Sequence, residues 1–370
     1  MFTAASAPGA RRATPARTVR WRLPRAVTAI AAAVTVTLLS GLAAAPSSAA
    51  TASAAGRDVT VHKDIAYAPA QLAGSRGHLL DLYVPEQRGR ARRPVLIVTG
   101  GSAWRRDNGK DFAAQIAPHF TAAGYVVAGV SVRSTSQAQF PAQLHDAKAA
   151  VRWLRAHAAR YRIDPHRFAM MGDSSGGWAT TMVAVTGDVP ALEGAVGVTG
   201  VSSKVQAAVN LYGPTNFLRM DRHMLPGACA AFNKMMGTTD CHNDEGSPES
   251  QLVGCAIKTC PEKVREANPI TYVSRNDPPF LIAHGQDDQL VPHNQSQALY
   301  WALKRACATA TFYSVPGVGH STGILSPDVT RPQVTSTSRC RNTPVPYRAS
   351  RPTLRTIQSF LEASWSRARH

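Results

Sequence analysis

Residues 172–177, with the sequence GDSSGG, constrain this chain more than any other stretch. An apolar run precedes them and a helix-forming run follows, so a buried strand would enter a sharp turn and leave as a helix. The serine at the centre of such a turn is held at a strained backbone angle, and the positions two before and two after it have no room for a Cβ. The G-x-S-x-G pattern therefore predicts that Ser174 is a nucleophile. Ser175 fits less well, because Asp173 stands two positions before it.

The first 55 residues have the three-part layout of a secretory signal peptide. A basic segment with six arginines and no acidic residue precedes an apolar stretch at 26–45 and small residues at 47–55. A transmembrane anchor is the alternative, since the apolar stretch is about long enough to span a bilayer. The small residues favour cleavage, after Ala50 or Ala55. We therefore predict a signal peptide at 1–50 and a mature domain at 56–370 that is secreted, extracellular and without a stable membrane anchor.

Export to an oxidising compartment makes disulfides the default for an even set of six cysteines. No pair has the spacing of a zinc ribbon. Cys307 and Cys340 each lie apart from the other four in the chain, and we expect them to pair. The other four allow three pairings, of which the local one is preferred, with Cys229 joined to Cys241 and Cys255 joined to Cys260.

The formal net charge is +18, and +12 remains without the six leader arginines. No basic run contains interleaved aromatic residues, so a cationic surface is favoured over nucleic-acid binding. Residues 108–111 (NGKD) lack the Ser or Thr of a phosphate-binding loop, and Trp104 stands where its first Gly would be. The sequence calls for no metal and no cofactor, and it leaves the oligomeric state open.

From residue 59 onward, short apolar strands alternate with amphipathic helices. This alternation predicts an α/β fold with a mainly parallel central sheet, helices on both faces and a site at the carboxyl edge of the strands. Two long segments interrupt the pattern. We expect the Cys-rich segment 222–262 to form a lid or side insertion near the pocket, and the Pro/Ser/Thr-rich segment 326–351 to be a loop held by Cys340. Strands are predicted at 59–67, 78–84, 95–98, 125–132, 167–171, 205–211, 280–283 and 311–315, and helices at 111–123, 144–161 and 354–365.

A serine nucleophile needs a general base, and the base needs an acid to orient it. His320 follows the last predicted strand on a glycine-rich turn, which is where the base is expected. Asp287 and Asp288 follow the penultimate strand, and only one of them can face the imidazole. The chain order Ser, Asp, His is that of the α/β-hydrolases.

A tetrahedral intermediate also needs N–H donors for its oxyanion. The backbone N–H of Ser175 is one candidate, because it begins the helix that follows the turn. The loop at 99–104, after the strand at 95–98, is expected to supply the other, since its glycines let the backbone approach a substrate closely.

With these residues in place, the chain from about residue 81 to its end resembles the secreted α/β-hydrolase esterases of the feruloyl-esterase and carboxylesterase type. These are related to hormone-sensitive lipase and, more distantly, to prolyl oligopeptidase. The resemblance implies that Asp288 is the triad acid, and that Gly101 and Ser102 join Ser175 in the oxyanion hole. The family's oxyanion loop usually reads His-Gly-Gly-Gly-Trp, whereas residues 100–104 read GGSAW, without the His. Besides 172–177, the matching segments are DLYVP at 81–85, FPAQ at 140–143 with Asp146, IDPHR at 163–167, YGP at 212–214, NPI at 268–270, PPFLIAHG at 278–285 and GVGH at 317–320.

Together these features predict a serine hydrolase that cleaves carboxylic esters through an acyl-enzyme, with a small-molecule or polysaccharide-linked ester as substrate. A serine peptidase of the prolyl-oligopeptidase kind is the nearest alternative, but the segment before residue 95 is too short for its propeller. A catalytically silent α/β-hydrolase that only binds is the second alternative. Loss of Ser, Asp or His would mark it, and all three are present.

Overall fold

A single mixed sheet forms the centre of the computed structural model, which describes residues 17–19, 58–86, 89, 91–344 and 350–367. The predicted signal peptide at 1–50 lies outside the described residues except for 17–19. Within the described part of the chain, no helix is long and apolar enough to cross a membrane. The strands are β1 (Arg17–Val19), β2 (Val59–Ala66), β3 (Leu79–Pro85), β4 (Arg93–Thr99), β5 (Val126–Val130), β6 (Ile163–Asp173), β7 (Ala207–Leu211), β8 (Phe280–Gly285), β9 (Ala310–Val315), β10 (Gln333–Ser338) and β11 (Arg341–Asn342).

The strand order is β1-β2-β3-β5-β4-β6-β7-β8-β9-β10-β11. The six strands from β5 to β9 in this order are parallel, and antiparallel strands extend the sheet at both edges. The helices are α1 (Ala113–Ala122), α2 (Ala142–Ala156), α3 (Ser175–Val185), α4 (Ala228–Met236), α5 (Pro248–Val253), α6 (Pro261–Ala267), α7 (Asn294–Arg305) and α8 (Leu354–Arg367). The predicted mainly parallel sheet is therefore confirmed.

Strand β4 shows why the central strands are apolar without interruption. Val95 and Ile97 pack into one core cluster with residues of α2, α3 and α7, whereas Leu96 and Val98 pack into the cluster on the other face with α1 and α8. All four side chains are fully buried. A parallel strand covered by helices on both faces has no solvent-facing side, so alternation of apolar and polar residues is lost.

The Cys-rich segment 222–262 contains α4, α5 and the first two residues of α6. It contains two of the three disulfides, Cys229–Cys241 and Cys255–Cys260, and the third joins Cys307 to Cys340. The expected cysteine pairing is thus confirmed.

The segment 326–351 differs from the expected loop. Residues Gln333–Ser338 form β10, which pairs antiparallel with β9 and widens the sheet. Its sequence, QVTSTS, is rich in β-branched side chains that suit an edge strand, although its polarity and the nearby prolines suggested a loop. Cys340 lies in the turn between β10 and β11, so the disulfide to Cys307 fastens this edge to the end of α7.

Candidate active site

The turn between β6 and α3 has the strained geometry that its glycines predict. Ser174 has φ 52° and ψ −126°, a conformation that side-chain-bearing residues rarely adopt. A Cβ at Gly172 would lie 2.3 Å from the Gly176 carbonyl oxygen, and one at Gly176 would lie 2.2 Å from the Thr99 carbonyl oxygen. Both positions therefore exclude any other residue, and Ser174 stands at the carboxyl edge of the sheet at the start of a helix.

The three predicted catalytic side chains lie in one hydrogen-bonded row. The Oγ of Ser174 is 2.8 Å from Nε2 of His320, and Nδ1 of His320 is 2.8 Å from Oδ2 of Asp288. A neutral imidazole that donates Nδ1–H to the carboxylate keeps Nε2 free to accept the serine proton. This arrangement can activate a hydroxyl as a nucleophile.

Asp288 is held rigidly for its contact with the imidazole. Its Oδ1 accepts hydrogen bonds from the backbone N–H groups of Leu290 and Val291, both at 2.9 Å, and Nε2 of His284 lies 3.2 Å from its Oδ2. Burial alone would raise the pKa of Asp288, but the hydrogen bonds from His284 and His320 outweigh it and hold the pKa well below its usual value. Asp288 is 1% exposed, whereas the adjacent Asp287 is exposed to solvent.

Two backbone N–H groups of the predicted oxyanion loop are hydrogen-bonded to side chains of the turn between β6 and α3. The N–H of Gly101 donates to Oδ1 of Asp173 at 2.8 Å, and the N–H of Ser102 donates to Oγ of Ser175 at 2.9 Å. Ala103 and Trp104 follow with φ 51° and 54°, so the loop turns sharply without glycine at these positions. Ser175 is the first residue of α3, so its backbone N–H has no hydrogen-bond acceptor within the helix.

Asp173 and Tyr212 were not among the predicted site residues. The Tyr212 hydroxyl donates to Oδ2 of Asp173 at 3.3 Å, and its ring contacts that of His320 edge-on with centroids 4.8 Å apart. Burial raises the pKa of Asp173, although the Gly101 N–H and the charge of His320 oppose it. Tyr212 begins the YGP segment, and its position after a buried strand was the signal that could have revealed it.

A cavity of about 540 Å³ opens beside Ser174 and His320. The oxyanion loop forms one wall, and the Cys-rich insertion forms another through α4 and the start of α5. Among the described residues, no group of three His, Cys, Asp or Glu side chains could hold a metal ion. The insertion and the loop after Asp288 contribute Phe232, Met236, His242, Pro248, Glu249, Leu290 and Val291 to the lining.

Comparison with known proteins identifies the family of this chain. Residues 80–303, more than half of the chain, match the sequence profile of the BD-FAE family. The chain belongs to the BD-FAE family. Together with the esterases described below, this match confirms the expected resemblance to the α/β-hydrolase esterases related to hormone-sensitive lipase.

Curated proteins similar to this BD-FAE family member include two from Mycobacterium tuberculosis. A probable carboxylic ester hydrolase, LipM, is 27% identical over 270 residues, which are 73% of this chain and 58% of LipM. The esterase LipQ is 29% identical over 263 residues, 70% of this chain and 56% of LipQ. The chain therefore spans little more than half the length of these relatives.

Solved structures give a similar result. A truncated carbohydrate esterase from gut microbiota matches with a TM-score of 0.67 and 30% identity, over 83% of this chain and 96% of that one. A bifunctional GH43-CE protein of Bacteroides eggerthii matches with a TM-score of 0.65 and 30% identity, over 82% of this chain and 35% of that one.

Proposed function

We propose that this protein is a secreted serine esterase that hydrolyses carboxylic esters through an acyl-enzyme. The observation that carries the proposal is the continuous hydrogen-bonded row from Ser174 through His320 to the buried Asp288, on the wall of a cavity large enough for a small ester. The esterases among the relatives support the reaction class.

In the proposed mechanism, the Ser174 hydroxyl attacks the ester carbonyl carbon while Nε2 of His320 takes its proton. Asp288 keeps Nδ1–H of His320 in place and stabilises the imidazolium that forms. His320 then donates the proton to the leaving alcohol, which departs as the acyl-enzyme forms. Water repeats the sequence on the acyl-enzyme, with His320 as its base, and releases the carboxylic acid.

The oxyanion of each tetrahedral intermediate needs N–H donors that are free when the substrate is bound. The N–H of Ser175 fulfils this condition, because it begins a helix and has no intrahelical acceptor. The N–H groups of Gly101 and Ser102 must leave the oxygens of Asp173 and Ser175 before they can contribute. For Ser102, rotation of the Ser175 side chain suffices.

The carbohydrate esterases among the structural neighbours support a sugar-linked ester as the substrate class. Two features support secretion. The amino-terminal segment has the layout of a signal peptide, and all six cysteines are paired in disulfides, which form and persist in oxidising compartments.

Hydrolysis of p-nitrophenyl acetate, butyrate and octanoate by the mature protein tests the proposal. We expect turnover by the wild type and its loss in Ser174→Ala, with unchanged thermal unfolding in the variant. A peptide p-nitroanilide in parallel tests the peptidase alternative. Equal turnover of esters by wild type and Ser174→Ala would refute the proposed function, and so would the absence of turnover on all three esters.

A further inference from the structure

Glu249 is a buried acidic side chain on the cavity wall with no part in the proposed mechanism. It stands in the first turn of α5 on the Cys-rich insertion, is 3% exposed and lines the cavity beside Ser174. Its Oε2 has no hydrogen-bond partner among the described residues. An unpaired buried acceptor is unfavourable for folding alone, so a role in binding is indicated.

The neighbouring His242 does not satisfy Glu249. Nδ1 of His242 lies 2.6 Å from Oδ1 of Asp221, and its Nε2 lies 2.9 Å from the Leu290 carbonyl oxygen. Burial lowers the pKa of His242, but the charge of Glu249 and the hydrogen bond to Asp221 outweigh it and raise the pKa. Both ring nitrogens are thus committed as donors elsewhere, and Oε2 of Glu249 keeps an open acceptor position.

Trp104, another residue of the cavity lining, carries a second unpartnered polar atom. Nε1 of Trp104 is buried and has no acceptor among the described residues, while the Trp104 ring packs edge-on against Trp178 and Phe217. Two residues of the cavity lining therefore each carry a buried polar atom without a partner among the described residues, an acceptor on Glu249 and a donor on Trp104. A hydroxyl group both donates and accepts, so a ligand with several hydroxyl groups could satisfy both atoms.

We propose that Glu249 determines substrate specificity by accepting a hydrogen bond from a hydroxyl group on the ester substrate, with the indole N–H of Trp104 donating to a substrate oxygen. The inference rests on the proposed esterase function and adds the two side chains that would recognise the hydroxyl groups of a sugar-linked ester. A neutral hydroxyl fits better than an ammonium group, because Arg105 and Arg106 line the same cavity. The apolar side chains of Phe232 and Met236 suit the C–H faces of a sugar ring.

Burial raises the pKa of Glu249, and the charge of His242 opposes this shift. The acceptor role survives in either state, because a protonated carboxyl group retains acceptor lone pairs.

The test compares kcat/KM for the three monoacetates of methyl β-xylopyranoside with kcat/KM for cyclohexyl acetate, a ring ester without hydroxyl groups. In Glu249→Met, the ratio for the best monoacetate should fall about 10–100-fold, as expected for loss of a hydrogen bond to a charged acceptor. Glu249→Gln keeps an amide oxygen of similar shape, so its ratio should fall less. Glu245→Gln, an exposed acid on the same insertion, is the matched control and should leave the ratio unchanged.

The possible outcomes separate this inference from the proposed function. An unchanged ratio in both Glu249 variants would overturn the inference while ester turnover upholds the esterase. If the Glu249 variants lost kcat/KM on acetylcholine but not on the monoacetates, the inference would also be overturned, in favour of cation recognition. Absence of wild-type turnover on cyclohexyl acetate and on p-nitrophenyl acetate would overturn both proposals together.

Discussion

Replacing Asp288 by Asn should remove most of the activity, although the two side chains have the same shape. The orientation of the new amide is decided by the backbone. Two N–H groups, from Leu290 and Val291, point at Oδ1 of residue 288 from 2.9 Å and require an acceptor there. The amide oxygen must occupy this place, so the NH₂ group replaces Oδ2 and faces Nδ1 of His320.

An NH₂ group facing Nδ1 forces the imidazole into the tautomer that carries its proton on Nε2. Nε2 can then no longer accept the proton of Ser174 from 2.8 Å, and the buried negative charge that stabilises the imidazolium is also gone. We expect kcat to fall about 10³–10⁴-fold, which corresponds to about 4–5.5 kcal/mol of transition-state stabilisation. Steady-state hydrolysis of p-nitrophenyl acetate measures this loss.

The neighbouring Asp287 provides the matched control, because it is adjacent in sequence and exposed. Asp287→Asn should retain kcat within about two-fold, since an exposed polar substitution leaves the site intact. A kcat for Asp288→Asn above about a tenth of the wild-type value would refute this reasoning. So would an equal loss in both variants.

Three further predictions concern the oxyanion loop, acid stability and the sheet edge. Ser175→Ala frees the N–H of Ser102 from a side-chain acceptor and should raise kcat/KM about 2–10-fold; a decrease would contradict the proposed role of that N–H. The pKa of Asp288 is held low in the folded state, so its contribution to stability is present above the unfolded-state pKa of about 3.9 and is lost as the pH falls below it. Wild-type Tm should therefore fall more between pH 5 and pH 3 than that of Asp288→Asn, and parallel curves would show that Asp288 contributes nothing. Joint replacement of Cys307 and Cys340 by Ser opens a loop of sequence separation 33 and should lower the free energy of unfolding by about 3–4 kcal/mol in urea titration, with kcat/KM unchanged within about two-fold; a loss under about 1 kcal/mol would argue against a stabilising role.

The sequence predicts the turn between β6 and α3 well because steric exclusion there requires glycine at fixed positions around Ser174. The glycines at 172 and 176 face backbone carbonyl oxygens at distances that no Cβ allows, so the pattern itself carries the geometry. The parallel sheet was predictable for a similar reason, since strands such as β4 are buried on both faces and must be apolar throughout. In both cases the packing leaves its signal within a few consecutive residues, even where the packed partners are distant in the chain.

Features that depend on which distant segments come into contact could not be predicted from the sequence. The neighbouring carboxylates Asp287 and Asp288 differ in burial, and their burial is decided by packing from distant segments. The direction of the Gly101 N–H depends on Asp173, 72 residues away in the chain. The open acceptor on Glu249 is equally invisible in the sequence, because it results from how the insertion folds over the cavity.

Labelling with a fluorophosphonate, followed by peptide mass spectrometry, tests the central claim most directly. The reagent reacts with activated serines, and fragmentation of the labelled peptide distinguishes Ser174 from the adjacent Ser175. We predict one adduct per chain, located on Ser174, with its formation slowed at least 100-fold in His320→Ala. An adduct on Ser175, or a wild-type protein that hydrolyses esters while Ser174 stays unlabelled, would contradict the assignment of Ser174 as the nucleophile.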